Sequence, residues 1–153
     1  VSDIVIVQIL DEILDMLNAT GRPADVPQVT LRRTFPDEEV KEARMAIYLG
    51  DETVDPPRQN SSQDPLARRR TSLAVQCVAA TDDPSEIDFV TQPMVAWATE
   101  VLGMTKIPEL GLHYAREQST VRRVASLGHY VVVTTVIFEL SYQTRRNDLT
   151  RIN

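Results

Sequence analysis

The sequence predicts an α+β fold: a single mostly antiparallel, mixed β-sheet packed by two main α-helices, with a long loop between strands. Three observations predict it. Segments 2–18 and 83–103 carry apolar residues at helical spacing. Shorter runs at 29–35, 44–50, 71–80, 112–120 and 130–144 carry them at strand spacing. The order is helix, two strands, long loop, strand, helix, two strands. A chain of 153 residues reads as one domain, 1–153, able to bury a real core.

The first helix opens at Ser2, a residue type that caps helices, and runs to about Asn18. Ile6, Ile9, Leu10, Ile13, Leu14 and Leu17 form its apolar stripe, and Asp11, Glu12 and Asp15 lie on the other side. Thr20-Gly21-Arg22-Pro23 stops it, since Gly accepts the left-handed cap and Pro blocks continuation. Val29–Phe35 and Arg44–Gly50 then read as a hairpin with a long turn. Residues 51–69, DETVDPPRQNSSQDPLARR, hold three prolines and little to bury, which predicts a mobile loop. Arg68-Arg69-Arg70 leads from it into TSLAVQCVAA, where Leu73, Val75, Cys77 and Ala79 share a face.

Asp82 or Asp83 caps the second helix, with Pro84 in its first turn. Ile87, Val90, Met94, Trp97, Ala98 and Val101 form its stripe. Pro93 interrupts that pattern. Either it kinks the helix, or Thr91 caps a second helix starting near Gln92. Leu112–Thr120 is a strand, VASLGH a turn, and GHYVVVTTVIFELSYQTRR the longest strand of all. On one face Tyr130, Val132, Thr134, Val136, Phe138, Leu140 and Tyr142 are apolar almost throughout. The other face starts apolar at Val131 and Val133 and ends in Glu139, Ser141 and Gln143. That predicts a central strand whose second half passes beyond the helices, followed by a short polar tail, 145–153.

Charge and composition narrow the function. The formal charge is −6. It argues against duplex binding, which calls for a basic stripe. Of the 16 bases only Lys41 and Lys106 are lysines. Arginine is favoured at protein interfaces because its planar fork holds carboxylates and stacks on aromatics. Codon usage in a GC-rich genome would give the same bias. No run reaches the roughly 18 apolar residues of a membrane span. The start VSDIVIVQILDEIL, with its acids, does not read as a signal peptide. Cys77 is the single cysteine, so no intramolecular disulfide forms.

Catalytic chemistry finds no foothold. His113 and His129 start the last two strands, far apart in an antiparallel pair, so a shared metal site is not expected. Ser126 and Ser141 lack a G-x-S-x-G frame. Cys77 is mid-strand on an apolar face and reads as core. Acid runs at 37–39 and 82–83 read as a solvated turn and a helix cap. No phosphate-loop motif is present. No catalytic, cofactor or metal residues are assigned, and the chain is not expected to be an enzyme. The arginine pairs Arg122-Arg123 and Arg145-Arg146, with Arg68-Arg69-Arg70, could meet phosphates or the acids of a neighbouring subunit. The acidic total favours the second reading.

The layout resembles the tail terminator proteins of long-tailed bacteriophages, the group of the lambda minor tail protein U. The resemblance rests on the N-terminal helix with its Thr20-Gly21-Arg22 break, VTLRR, RMAIYLGDE, a polar loop, RRTSLAVQCVA, the acid-capped DDPSEIDFVTQPMVAWATEVLG, and the closing Tyr142-Gln143-Thr144. Pro93 and the length of 104–128 depart from the pattern. The resemblance implies a virion protein at the tail–neck junction, assembled in the host cytoplasm. There a homo-hexameric ring caps the head-proximal end of the tail tube, stops its polymerisation and receives the neck or head-completion protein. DNA passes through without specific binding. Another connector or stopper of the neck is the alternative within assembly. A small enzyme with an unrecognised site, or a monomeric binding module, is the alternative outside it. In a ring, Arg58, Arg68, Arg69, Arg70, Arg122, Arg123, Arg145 and Arg146 are candidate contacts. Asp37, Glu38, Glu39, Asp51, Glu52 and Asp55 are candidate acids of the lumen.

Overall fold

The computed structural model describes residues 4–31, 42–55, 66–103, 105–126, 128–146 and 148–152. They form α1 (Val5–Leu17), β1 (Val29–Leu31), β2 (Arg44–Val54), β3 (Leu66–Thr81), α2 (Gln92–Leu102), β4 (Leu112–Ser126) and β5 (Tyr130–Arg145). The strands make one sheet in the order β1-β2-β3-β5-β4. Every pairing is antiparallel except β1 with β2. The predicted α+β class, a mostly antiparallel five-stranded sheet packed by two helices, is the observed one.

Helix α1 buries Val5, Ile9, Leu10, Ile13 and Leu17, with Ile6 and Leu14 partly buried against the same core. Its N-cap position falls on Ile4, whose side chain makes no cap hydrogen bond, so the start lies later than a Ser2 cap implies. Ser2 lies outside the described residues. The two apolar segments around 29 and 45 are not a hairpin. Val29↔Met45 and Leu31↔Ile47 pair in parallel. Parallel neighbours need a crossover of about a dozen residues, which the stretch 32–43 supplies. The expected extension of β1 through Arg33 and Phe35 also lies outside the described residues.

The predicted loop 51–69 is shorter than expected. β2 continues to Val54 and β3 starts at Leu66, with Val54↔Arg69 in register. The polar side chains that suggested a loop are carried by a ribbon in which 52–54 pair with 69–71 of β3 beyond an irregularity at 50–51, and 66–69 pair with β5. Its interior, 56–65 with Arg58, lies outside the described residues, as does the Asp37-Glu38-Glu39 turn.

The second helical segment divides. A 3₁₀ turn at Pro84–Glu86 is capped by Asp83, whose carboxylate accepts from the Ser85 N–H at 2.9 Å. α2 then begins at Gln92 with Pro93 in its first turn, where the missing N–H costs nothing. Thr91 stands at the N-cap but does not cap. Its hydroxyl is buried, 2.7 Å from that of Thr134 on β5.

β3 and β5 pair without interruption from Leu66↔Arg145 to Thr81↔Tyr130. The helix-side face of this pair places Leu73, Val75 and Cys77 beside Phe138, Val136 and Thr134. Met45 and Ile47 extend that face, and Ile9, Ile13, Leu17, Met94, Trp97 and Ala98 close the core from the helices. The Trp97 indole N–H donates to the Leu17 carbonyl at 2.8 Å, tying α2 to the end of α1. On the opposite face Val78, Val131 and Val133 form a second small cluster. Thus the first half of β5 is buried on both faces, as its alternation predicts. Farther on, Ile137, Glu139 and Gln143 are half-buried, but Ser141 on the same face is buried rather than wet, and Phe138, Leu140, Tyr142 and Thr144 stay buried on the other. The chain after β5 is docked: the Val5 N–H donates to the Leu149 carbonyl at 2.9 Å, and Ile152 packs on the core.

Candidate assembly surface

The two edges of the sheet differ. β1 is three residues long, and the Asn18 side chain seals it at Val29. The Asn18 amide donates to the Val29 carbonyl at 2.9 Å, and its carbonyl accepts from the Val29 N–H at 2.7 Å. A side-chain amide here stands in for a neighbouring strand. β4, at the other edge, has β5 as its one strand neighbour among the described residues. Its register shifts end at Ser119, and Ser119–Ser126 then pair regularly with Ile137–Tyr130. This stretch, STVRRVAS, extends β4 beyond the predicted Thr120. It is exposed throughout apart from Ala125, with Val121 at 59% and Val124 at 44% exposure on opposite faces. It holds no Pro and no bulge, and its charged side chains are Arg122 and Arg123.

Asp88 reaches this edge from the turn before α2 and pairs with Arg122 at 2.7 Å. The next residue, Phe89, is 68% exposed, an apolar side chain carried on a hydrogen-bonded turn. At the other end of β4, Glu139 of β5 gathers Tyr114, Arg116 and Gln118, at 3.1, 3.3 and 2.9 Å.

The arginines separate into two groups. Arg68, Arg69 and Arg70 lie on β3 beside Arg145 and Arg146, at the end of the ribbon formed by β2, β3 and β5. Arg122 and Arg123 lie about eight residues away along the sheet, roughly 27 Å at strand rise. Arg68 is exposed. Arg70 pairs with Asp55 at 2.8 Å, and Arg146 donates to the Leu66 carbonyl at 3.0 Å. Arg69 turns to the helix side, where its Nε donates to Thr144 Oγ1 at 2.9 Å and its Nη1 reaches Glu52 Oε2 at 3.5 Å. The Tyr142 hydroxyl donates to the other oxygen of Glu52. Burial and that hydrogen bond push the Tyr142 phenol above its usual range. Of the acids, Asp51 is exposed on β2, while Glu52 and Asp55 are held by these arginines.

Glu52, Arg69, Tyr142 and Thr144 come from RMAIYLGDE, RRTSLAVQCVA and FELSYQT. Three separate stretches of the sequence meet in one polar cluster. Asn18, Asp88, Phe89 and Glu139 were not legible as site residues, because each acts through a partner distant in sequence.

His113 and His129 sit at opposite ends of β4. Among the described residues no three His, Cys, Asp or Glu side chains converge on a metal position, and no helix is long and apolar enough to cross a membrane. A shallow cleft of about 400 Å³ near Lys106, Leu112 and Ile152 places His113 Nε2 3.2 Å from Gln143 Oε1. The Cys77 thiol is buried among apolar side chains, which pushes it from its usual 9.0 up to about 12 and removes it as a nucleophile.

No family model matches the chain, and no curated protein does. Its fold is distantly similar to that of a chain in the virion of a native gene transfer agent particle. The TM-score is 0.48, with 13% sequence identity over 92% of each chain.

Proposed function

We propose that this protein is a structural virion component whose copies form a ring on the head-proximal end of a phage tail tube, ending tube growth and presenting a face to the neck. The observation that carries the reading is the open β4 edge. Eight regularly paired residues, seven of them exposed, with no Pro and no bulge among them, make an edge that association with another chain can cover. The meeting of three stretches of the terminator-like layout in the Glu52–Arg69–Tyr142–Thr144 cluster supports the choice of family. The partners of such a ring are further copies of this chain, the tail tube protein and a neck or head-completion protein. DNA crosses the lumen without specific binding. Asp51, with the acids at 37–39, is suited to line that lumen, since carboxylates repel phosphate. The arginine group of β3 and β5 is suited to the tube or neighbour contacts.

The test adds purified protein to polymerising tail tubes and images the ends. The expected result is a ring of this chain at one end of each tube, with growth halted and heads able to join. Tubes that keep growing, with no density for the chain at their ends, overturn the proposal.

A further inference from the structure

We infer that the outer edge of β4 seats against the α1–β1 flank of a second copy, so that subunits join head to tail. This rests on the ring reading and names the two surfaces that make it. β1 and β4 are the opposite edges of the sheet; α1 lies beside β1 and also meets α2 and the 3₁₀ turn Pro108–Leu110, while α2 lies over β3 and β4. Within residues 4–31, Asp11, Glu12, Asp15 and Asp25 stand against Arg22 alone, leaving three negative charges. All four acids are exposed, and none forms an ion pair among the described residues. β4 carries Arg116, Arg122 and Arg123 against Glu117. Arg116 is engaged by Glu139. Arg122 is paired with exposed Asp88, and a pair in solvent holds by less than about 1 kcal/mol, so Arg122 can exchange partners.

Two acidic flanks repel one another, whereas an edge offers Arg122, whose exposed partner Asp88 can be exchanged for carboxylates of a flank. A flank against an edge is the arrangement in which unlike charges meet. Such a contact joins different surfaces of identical chains, the heterologous type that closes into rings. The exposed apolar side chains match as well: Val121 and Val124 on the edge, Ile4, Val7 and Leu31 on the flank.

The experiment uses cysteine trapping, for which buried Cys77 is a silent background. Chains carrying Val124→Cys together with Asp11→Cys or Asp15→Cys are treated with a short bis-maleimide during assembly on tubes. The expected result is a ladder of linked chains ending at the ring's own copy number, with each single substitution giving none. A single substitution that yields dimers, or double variants that cap tubes without a ladder, overturns the contact and leaves the ring function standing. A ladder without tube capping supports the contact and overturns the function. A link from Val124→Cys to the tube protein in place of a second copy also overturns the contact. Charge reversal provides a second measure. Asp11→Lys with Glu12→Lys and Asp15→Lys in one chain, and Arg122→Glu with Arg123→Glu in another, should each lose assembly at least tenfold. Mixing the two should restore it, because each reversed flank then meets an edge of opposite sign. No recovery on mixing, with both variants folded by circular dichroism, refutes the head-to-tail pairing.

Discussion

Tyr142 shows how one side chain ties distant parts of the chain together. It is buried on the last strand, yet its hydroxyl reaches a carboxylate of β2 that Arg69 of β3 also engages. Tyr142→Phe keeps the ring's packing and removes one donor. Glu52 is partly solvated, so the expected loss is about 1 kcal/mol, read as a lower urea midpoint. The same residue bears on pH. In the folded protein the Tyr142 phenol and the Cys77 thiol hold their protons more tightly than in the unfolded chain. Stability is therefore unaffected below the unfolded thiol's 9.0 and falls as pH rises from there towards about 12. Each group removes up to about 1.4 kcal/mol per pH unit in its window. Unfolding measured from pH 8 to pH 11 should show this decline, and Cys77→Ala should flatten it. An unchanged slope in that variant would mean the thiol titrates alike in both states.

Among the elements, β1 and β4 manage the same liability in opposite ways. Asn18 satisfies both backbone groups of Val29, so the β1 edge ends in a side chain of its own protein. Asn18→Ala leaves a half-buried N–H and C=O without those partners. The expected cost is about 1–2 kcal/mol, accompanied by faster hydrogen exchange at the Val29 amide. Exchange at Val29 that stays as slow as in the parent would show that another group seals the edge. Among the described residues no Asn side chain closes β4 in this way over Ser119–Ser126, and that contrast is why assembly is proposed there.

At the level of the whole molecule, β2 and β3 are held in register by pairs that lie outside the segment joining them. Val54 faces Arg69, and the Asp55 N–H donates to the Arg68 carbonyl at 2.9 Å. Replacing residues 56–65 with a short Gly-Ser link should therefore leave the melting temperature within a few degrees. If the segment meets a neighbour or the tube, the same variant should cap tubes poorly. Capping at the parent's yield would make the segment a passive connection.

The sequence by itself determined the α+β class, the two helical faces, the burial of the first half of β5 on both faces, and the pair of alternatives at Pro93, a kink or a new helix start. These follow from periodicity and backbone chemistry, which act between near neighbours. Only the tertiary structure decided that β1 runs parallel to β2, since a long connection permits either direction. It also decided that polar 51–54 and 66–69 are strands. β3 pairs with 52–54 and β5 pairs with 66–69, and no local pattern reports that. The partners of Arg69, Arg122 and Asn18 were hidden for the same reason: each contact joins residues that the chain brings together only once the sheet has formed.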